Sequence, residues 1–573
     1  MKKLKIDFSA CQRFWAVAKP YWWDSQERWR AIGLLVLVMF LLMLHAQMNV
    51  LQNGQRGEFT SALAEKNAGR FWQGVLTYLV ACIIYVTLQS INSYLEEKIR
   101  WFWRRWLTNS YLQKYMTNRN FYRLGSWTAK IDNPDQRISQ DIERFCQMSL
   151  VLFMNFSSSL VNIIAFGVVL WSMSHNLVIL LIVYAGLGML ITTVGFGRIL
   201  IPLQTEQLKQ EANFRFGLVR IRENAESIAF YGGDNRELNN VKQIFKGVLS
   251  NYNKIILWET KLAFFSSGYQ VITWILPAVI LGPRILSGQT EVGILVEAGG
   301  AFINVFNSLI VVVRMFKNLT RFVAAIDRLE SLEKVLEEPT ASPIDGNTTI
   351  DTIEDSSLSL EHITLQTPNY NRTLVKDVSV EMQSGERLLI VGVSGCGKSS
   401  IVRAIAGLWN SGTGTIHRPK LGEILFLPQR PYMILGSLRE QLLYPSTNLN
   451  ISDLEIYQVL KQVNLPELAE RFGGLDALED WDHVLSIGEQ QRVAFARLLL
   501  THPRYAILDE ATSALDMKNE QSLYNHLQKL STIYLSVGHR PTLLQYHDKV
   551  LEVHDDETWR VISAQDYNFM SMP

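Results

Sequence analysis

Five charge-poor stretches, with room for six helices, place the strongest constraint on how this chain folds. They are Ala31–Leu51, Phe71–Leu95, Cys146–Gly197, Leu262–Pro283 and Val292–Val313. The third is long enough for two helices with a tight turn near His175–Asn176, and the last is interrupted by Glu297. Because a helix needs about 20 apolar residues to cross a bilayer, the sequence predicts six membrane spans, with both termini on one side.

The charge of the connecting loops predicts which side that is. Residues 96–150 carry ten Lys or Arg and residues 202–261 carry nine, whereas the three opposite loops carry four in total. Since cytoplasmic loops are enriched in Lys and Arg, both long loops, both termini and everything after the sixth span are expected in the cytoplasm. The two long loops are polar and compatible with helix, so they should extend the spans well beyond the membrane.

Composition shifts predict four regions along the chain. Residues 1–30 are basic and aromatic and suit a helix lying along the membrane surface, and residues 31–317 hold the six spans. Residues 318–357 form a polar helix and a linker rich in Pro, Gly, Thr and Asp. From Leu358 to the end, short apolar strands alternate with helices, which is typical of an α/β domain. The formal net charge of +1 gives no indication of nucleic acid as a partner.

Polar side chains form a stripe along the sixth span. At 100° per residue, Glu297, Asn304 and Ser308 lie within about 40° of each other, with Arg314 on the adjoining side. Such a stripe favours a polar translocation path for a hydrophilic or amphipathic solute. The alternative is polar contact between neighbouring helices.

The second half of the chain carries six short motifs in a fixed order. They are Gly392-Val-Ser-Gly-Cys-Gly-Lys398-Ser399, Leu-Pro-Gln429-Arg-Pro-Tyr, Leu485-Ser-Ile-Gly-Glu-Gln-Gln-Arg492, Tyr505-Ala-Ile-Leu-Asp509-Glu510, Ser513-Ala-Leu-Asp516 and His539. The first motif alone occurs in many unrelated nucleotide enzymes. All six in this order indicate a domain that binds and hydrolyses ATP with Mg²⁺.

These motifs predict a nucleotide site at the ends of buried strands. The backbone and side chains of the glycine loop would hold the phosphates at a helix N-terminus. The residues of this loop are Gly392, Ser394, Gly395, Cys396, Gly397, Lys398, Ser399 and Ser400. Ser399, Gln429 and Asp509 are expected to bind Mg²⁺, directly or through water. Glu510 is expected to polarise the attacking water, and His539 to contact the γ-phosphate.

The cassette resembles those of ABC transporters, and the first half is similar to one branch of them. That branch comprises the SbmA/BacA-like bacterial uptake proteins and the peroxisomal fatty-acyl half-transporters. The segments that carry the resemblance are Asp132-Asn-Pro-Asp-Gln-Arg-Ile138 with Asp141, Asn53 with Phe59-Thr-Ser-Ala-Leu63, Glu211-Ala-Asn-Phe-Arg215, Arg222-Glu-Asn-Ala-Glu226, Phe230-Tyr231 and Trp481. On this resemblance Asp132, Asp135 and Glu223 are candidates for coupling, beside the stripe on span six.

The resemblance implies an all-α, six-helix, exporter-type membrane domain followed by an α/β P-loop ABC nucleotide-binding domain, working as a homodimer in the bacterial inner membrane. Ser486, Gly488 and Glu489 of one chain would close over ATP held by the other. Ile487 departs from the family pattern, which has glycine there, and its bulk could weaken closure. Thr367–Pro368 occupies the place where many exporters have an adenine-stacking tyrosine.

Three functions remain open at this stage. The leading one is ATP-driven uptake of bulky hydrophilic compounds such as peptides, peptide antibiotics or corrinoids of the vitamin B12 type. Export of fatty-acyl-CoA or other amphipathic, lipid-like cargo is the second. A proton-coupled carrier regulated by its cassette is the third, with Glu297 as the proton site. Six charge-poor spans exclude a soluble-type ABC ATPase.

Overall fold

The computed structural model describes residues 8–125, 131, 133–314, 316–337, 349–383, 385–446 and 451–568. The chain divides into two compact units: the first comprises residues 1–124 and 131–338, and the second contains the residues from 339 onwards. Asp132 and most of the predicted linker lie outside the described residues.

The first unit is built of helices. They are α1 Phe8–Lys19, α2 Arg28–Ala64, α3 Ala68–Met116, α4 Asn120–Gly125, α5 Pro134–Gln136, α6 Ile142–Met173, α7 His175–Leu190, α8 Arg198–Glu223, α9 Ala225–Tyr231, α10 Asp234–Leu286, α11 Gly293–Arg314 and α12 Phe316–Glu337. Short π-helical segments lie at Pro20–Asp24, Arg137–Asp141 and Ile191–Gly197.

Six helical stretches in the described part of the chain are long and apolar enough to cross a membrane, which confirms the predicted number of spans. They run over Arg28–Ala64, Ala68–Leu124, Pro134–Met173, His175–Glu223, Asp234–Leu286 and Gly293–Val311. The third and fourth are separated at Ser174, whose extended backbone interrupts the helix next to the predicted turn. Helix α10 has 53 residues, or about 80 Å at 1.5 Å per residue, far more than the roughly 30 Å hydrocarbon core of a bilayer requires.

The interior of this unit lies where spans three, four and six meet. Phe166 and Leu170 of α6, Leu177 of α7 and Phe302 of α11 are fully buried there. Many large apolar side chains of the spans point outwards instead, for example Ile83, which is 68% exposed. Such a surface is stable where lipid, rather than water, surrounds it.

The second unit contains two sheets and shorter helices. Its elements are β1 Asp351–Glu354, β2 Leu358–Gln366, β3 Thr373–Met382, β4 Arg387–Gly392, α13 Lys398–Ile405, β5 Gly412–Arg418, β6 Ile424–Leu427, α14 Leu438–Leu443, α15 Asp453–Gln462, α16 Leu468–Arg471, α17 Trp481–Val484, α18 Ile487–Thr501, β7 Tyr505–Asp509, α19 Met517–Gln528, β8 Ile533–Val537, β9 Lys549–Val553 and β10 Trp559–Ser563. The sheet orders are β1-β5-β2-β3 and β10-β9-β4-β8-β7-β6.

The sheet-forming part begins earlier than Leu358, where the sequence placed the end of the linker. Strand β1 pairs in parallel with β5, from Asp351 opposite Thr415 to Glu354 opposite Arg418. All four residues of β1 are exposed, so the strand lacks the apolar alternation by which sequence patterns are recognised. It is held by backbone pairing at a sheet edge.

Strand β4 separates two hydrophobic cores. Leu389 and Val391 point into a core formed with α14 to α19, whereas Leu388 and Ile390 point into a core shared with α13 and the smaller sheet. Alternate side chains of a strand face opposite sides, so β4 is apolar on both faces, as strands of a covered parallel sheet are. The glycine loop at its end is therefore anchored on a rigid element.

Candidate nucleotide site

Three adjacent parallel strands bring the predicted catalytic residues to one edge of the larger sheet. The order β4-β8-β7 places Ile390 opposite Val537 and Asp509 opposite the same residue. The carboxyl ends of β4, β7 and β8 therefore lie side by side, and their following loops carry Gly392, Glu510 and His539. This edge is where parallel sheets bind their ligands.

The phosphate loop adopts a backbone that requires glycine. Gly392, Gly395 and Gly397 have φ angles of 150°, 89° and 108°, which L-residues with a side chain rarely adopt. A Cβ on Gly392 would also lie 2.3 Å from the carbonyl oxygen of Val553. The loop leads directly into α13, so the free N–H groups at the helix start point out of the loop, as anion binding demands.

Lys398 and the small residues of the loop are placed to contact phosphate. The Lys398 Nζ donates hydrogen bonds of 2.8 Å to the carbonyl oxygens of Gly392 and Val393. This holds the ammonium group over the loop, within which Ser394 is exposed and Cys396 and Ser400 are buried. The Cys396 side chain packs inwards against Gly392, as expected of a small loop residue.

Ser399 and Asp509 form an oxygen-rich pair suited to Mg²⁺. The Ser399 hydroxyl donates a 3.1 Å hydrogen bond to Asp509 Oδ1. Burial raises the pKa of the Asp509 carboxyl above its ordinary value; the charge of Glu510 adds to this and the Ser399 hydrogen bond opposes it. A hydroxyl and a carboxylate are the hard oxygen ligands that Mg²⁺ prefers, and a divalent ion would offset the charge of Asp509.

Glu510 lies at the centre of a second cluster. Its Oε1 is 2.7 Å from His539 Nε2, and its Oε2 accepts a 2.9 Å hydrogen bond from Gln429 Nε2. Glu510 has a φ of 50°, and its backbone N–H bonds the Val537 carbonyl oxygen. Such a backbone conformation is unfavourable for a non-glycine residue and is enriched at functional sites. Here it turns the carboxylate towards both partners.

Sequence patterns did not indicate Gln491, which joins two of the motifs. Its Nε2 donates to the Gln429 carbonyl oxygen at 2.9 Å and lies 3.3 Å from Ser513 Oγ, while its Oε1 accepts from the Ala514 N–H. Gln491 is 1% exposed, so its own side of these hydrogen bonds is shielded from water. It links the segment around Gln429 to residues 513–516.

Arg540, directly after His539, was also missed. It donates to the carbonyl oxygens of Ser513 and Leu515 at 3.0 and 2.8 Å and pairs with the fully buried Glu520 at 3.2 Å. In the sequence the only local indication of this role is that Arg540 is a charged residue next to a motif histidine. Its partners are distant in the sequence. Arg540 therefore fixes residues 513–516 relative to His539.

The signature segment begins helix α18. The Ser486 side chain accepts from the Glu489 N–H, and Glu489 Oε2 accepts from the Ser486 N–H at 2.9 Å, which makes a capping box. Glu489 also pairs with Arg471 at 2.7 Å. Burial alone would raise the pKa of Glu489, but the Arg471 and Ser486 hydrogen bonds lower it overall. The contacts described for the Glu489 side chain are thus to Ser486 and Arg471, and the nucleotide contact expected from the sequence stays a prediction.

Ile487, which departs from the family pattern, is 55% exposed at the start of α18. Gly488 is close to the segment after β7, since a Cβ there would lie 3.3 Å from the Ala514 carbonyl oxygen. Trp481, four residues ahead of the signature, is buried against Phe472 and donates a 2.8 Å hydrogen bond to Gly436. Trp481 thus supports the segment from which Ser486 projects.

One chain places its signature and its phosphate loop on different cores. The residues of α18 belong to the core with α14, α15 and α19, whereas Ile401 and Ile405 of α13 belong to the other. The side-chain hydrogen bonds described for Ser486 are to Glu489. Ser486 and Gly488 are therefore not brought to the phosphate loop of the same chain by any described hydrogen bond.

The polar stripe on span six packs in part against span one. Asn49 Nδ2 donates to Asn304 Oδ1 at 3.2 Å, and Asn53 Nδ2 donates to the Glu297 carbonyl oxygen at 2.7 Å. Ser308 is buried and donates to the Asn304 carbonyl oxygen. These contacts fit the alternative in which polar groups join neighbouring helices.

The remaining coupling candidates are not brought together. Asp135 and Glu223 are exposed, on the first and second cytoplasmic loops respectively. For Arg314 the structure describes the backbone only, at the end of α11. Asp132 lies outside the described residues, whereas Arg137 and Asp141 of the same motif are buried.

Comparisons with known proteins found relatives of both halves of the chain. Residues 23–286 match the ABC transporter transmembrane region 2 family, and residues 375–513 match the ABC transporter cassette family. An uncharacterized ABC transporter ATP-binding protein of Synechocystis sp. is 44% identical over 94% of this chain and 82% of its own length. ABC transporter D family member 2, chloroplastic, of Arabidopsis thaliana is 35% identical over 97% of this chain and 89% of its own.

Two further similarities concern function and fold. The lysosomal cobalamin transporter ABCD4 of Mus musculus is 30% identical over 97% of both chains. A bacterial Atm1-family ABC exporter solved with ATP bound has a TM-score of 0.74 at 19% identity, over 94% of this chain and 96% of its own. That structure establishes a common fold. The chain is therefore a multi-pass, ATPase-coupled membrane protein of the ABC transporter family, homologous to the sub-family D half-transporters, with its membrane region and cassette fused in one polypeptide.

Proposed function

We propose that the site described above hydrolyses ATP to drive transport, with Glu510 as the residue that polarises water. Glu510 is the only one of the predicted catalytic groups in contact with two other motif side chains, His539 and Gln429. Polarisation by a carboxylate at hydrogen-bonding distance of water is typical general-base chemistry. His539 would keep the carboxylate oriented, and Gln429 would respond to the nucleotide.

The glycine loop and Lys398 would bind the phosphates, and Ser399 with Asp509 would hold Mg²⁺. When bound, Mg²⁺ supplies positive charge that stabilises the transferred phosphoryl group. Lys398 has a flexible stem, so its ammonium group can exchange its two loop carbonyl partners for phosphate oxygens. The residues of this chain thus bind and orient the nucleotide, and Glu510 acts on the water.

We propose that the working unit is a homodimer. Each chain has one phosphate loop and one signature, on different cores, and one set of six spans. Two copies related by a two-fold axis would allow Ser486 and Gly488 of one chain to cover ATP bound to the other. Each chain also brings its own Glu510 and His539 into contact. A dimer of identical chains would therefore have two equivalent active sites.

For the cargo we propose a bulky hydrophilic compound of the corrinoid class, moved inward across the bacterial inner membrane. The cobalamin transporter named above is similar over almost all of its length and of this chain, so its membrane region as well as its cassette is comparable. The resemblance to SbmA/BacA-like uptake proteins supports the same cargo class and direction. Amphipathic lipid-like cargo, carried outward, is the competing outcome.

Reconstitution into sealed proteoliposomes with the cassettes outward tests this proposal. The vesicles would be given Mg-ATP and labelled cobalamin, a basic peptide or an acyl-CoA, either outside or preloaded. Loss of preloaded cobalamin that requires ATP and is abolished by Glu510→Gln is the expected result. ATP-driven accumulation of acyl-CoA would contradict both cargo and direction, and movement driven by a pH gradient alone would favour the proton-coupled carrier.

A further inference from the structure

Helix α12 is the last element of the membrane unit, and the chain runs on from it to the cassette. Two buried charged side chains of the first cytoplasmic loop hold it. The Arg137 side chain, 5% exposed, donates 2.6 Å hydrogen bonds to the Arg328 carbonyl oxygen and to Ser331 Oγ. Asp141, 1% exposed, lies 3.0 Å from the Arg328 Nε.

The C-terminal end of α12 is held as well. Lys114 Nζ pairs with Glu337 at 2.8 Å and also with Glu333. Asn120 Nδ2 and an Arg123 guanidinium nitrogen donate to carbonyl oxygens of the last turn. Cations and donors at this end of a helix satisfy its free carbonyl groups and oppose its dipole.

Helix α1 also contacts α12. Arg13 pairs with Asp327 at 2.9 Å, and Phe14 lies with its ring 6.0 Å from that of Phe322. Phe145 of α6 stacks on Phe322 at 5.9 Å. Helix α12 is thus enclosed by α1, α3, α4, the π-helical segment at Arg137–Asp141 and α6.

The buried charges distinguish this arrangement from ordinary packing. A charged side chain is stable in the interior only when it is paired with an opposite charge or hydrogen-bonded. The paired groups must also keep their distances and directions. Arg137 donates a hydrogen bond to a backbone carbonyl oxygen of α12. A translation of α12 along its axis would therefore leave both Arg137 and Asp141 buried without these partners. The contact therefore fixes the register of α12.

Asp141 immediately precedes α6, which continues into span three, while α12 follows span six in the chain. We propose that Arg137 and Asp141 are positioning residues that lock α12 to the start of span three, so that any movement of α12 during ATP hydrolysis moves spans three and six together. This inference rests on the proposed dimeric transport cycle. It assigns the motif of the first loop a role in coupling through Arg137 and Asp141.

A measurement that needs no cargo tests the inference. The full-length protein, with Cys11 and Cys82 replaced by serine, would carry a spin label at Ser287→Cys, an exposed position between spans five and six. The label–label distance in the homodimer would be measured with and without ATP, Mg²⁺ and vanadate, and ATPase activity would be measured on the same samples. Variants would be Asp141→Asn and Arg137→Lys, the latter because Lys keeps the charge but loses the planar fork that spans two acceptors.

Glu143→Gln is the matched control, since Glu143 lies on α6 two residues after Asp141, is half exposed, and pairs with Arg104 at the surface. We expect wild type and the control to show the nucleotide-dependent distance change. Asp141→Asn and Arg137→Lys should lose most of it while ATPase activity stays within about twofold. A full distance change in both variants would overturn the inference, as would a parallel loss of ATPase activity and distance change, which would show a merely structural role. No change in the wild type would overturn the proposed dimeric cycle, and this inference with it.

Discussion

His539 Nε2 and Glu510 Oε1 are 2.7 Å apart, although β8 and β7 bring them from different parts of the chain. Glu510 has a positive φ of 50° at this contact. In the proposed mechanism Glu510 polarises the water and His539 keeps its carboxylate oriented. Together with Gln429 on the other carboxylate oxygen, they make an oriented acceptor.

Glu510→Gln should abolish turnover but retain ATP binding. Replacement of a general base lowers rates by about 10² to 10⁴, whereas Lys398 and the glycine loop are unchanged. We expect ATP to be occluded in a long-lived dimer, measured as retained labelled nucleotide beside the rate of phosphate release. Glu467→Gln, which changes an exposed carboxylate of the same unit, should behave as wild type. Undiminished phosphate release from Glu510→Gln would show that another group polarises the water.

Glu520 should prove important for both stability and activity. It is fully buried, accepts hydrogen bonds from Thr512 and Thr542, and pairs with Arg540. Glu520→Ala would leave these donors unsatisfied and release Arg540 from residues 513–516. Breaking a fully buried pair costs about 3–5 kcal/mol, and roughly 2–3 kcal/mol is expected here because Arg540 keeps access to water.

The measurement for Glu520→Ala is hydrogen exchange of the strands in the larger sheet, together with ATPase activity. Protection of these amides from exchange and ATPase activity should both decrease relative to Glu470→Ala, since Glu470 is exposed. Retention of normal protection and normal hydrolysis would mean that Arg540 holds residues 513–516 without help from Glu520.

The cassette should lose stability in acid through His547. Burial lowers the pKa of His547 to about 4; the hydrogen bond to the Leu543 carbonyl oxygen opposes this and nearby Arg387 adds to it. In the unfolded chain His547 binds a proton near pH 6.5, and in the folded chain it does so only near pH 4. Stability due to the neutral side chain is therefore complete above pH 6.5 and falls between pH 6.5 and 4, by about 3 kcal/mol in total.

Protection of β8 amides between pH 7 and 4 reports this loss. His547→Gln should reduce the pH dependence, because the amide does not titrate. His483→Gln should not reduce it, since His483 is exposed and Asp480 raises its pKa. An unchanged acid profile in His547→Gln would assign the loss to other groups.

Features encoded locally could be predicted from the sequence. The six spans follow from apolar runs, since only helices satisfy backbone groups in lipid with no other partner. The glycine loop and the strand before it follow from spacing and from apolar residues on both faces of β4. The capping role of Glu489 is also encoded locally, because Ser486 and Glu489 have the spacing of a capping box.

Contacts between distant segments could not be predicted in this way. Arg137 and its acceptor on Arg328 are 191 residues apart, and Asn49 and Asn304 are 255 apart. A single sequence shows that such groups are polar but carries no information about which partner satisfies them. The same holds for Arg540 and Glu520, so the residues that connect the motifs came from the structure alone.

Spans one and six should tolerate no side chain at Gly293. A Cβ there would lie 2.0 Å from the Gly57 carbonyl oxygen and 2.4 Å from Ser61 Oγ, which accepts the Gly293 N–H at 2.9 Å. Because the nearest atom is backbone, Gly293→Ala must push the two helices apart, at a cost of about 1–3 kcal/mol. Gly299→Ala on the same helix is the control, since nothing lies within 4 Å of its Cβ. The midpoint temperature of thermal unfolding of the detergent-solubilised protein should fall for Gly293→Ala but not for Gly299→Ala. Equal midpoints would show that the helix contact can relax without cost.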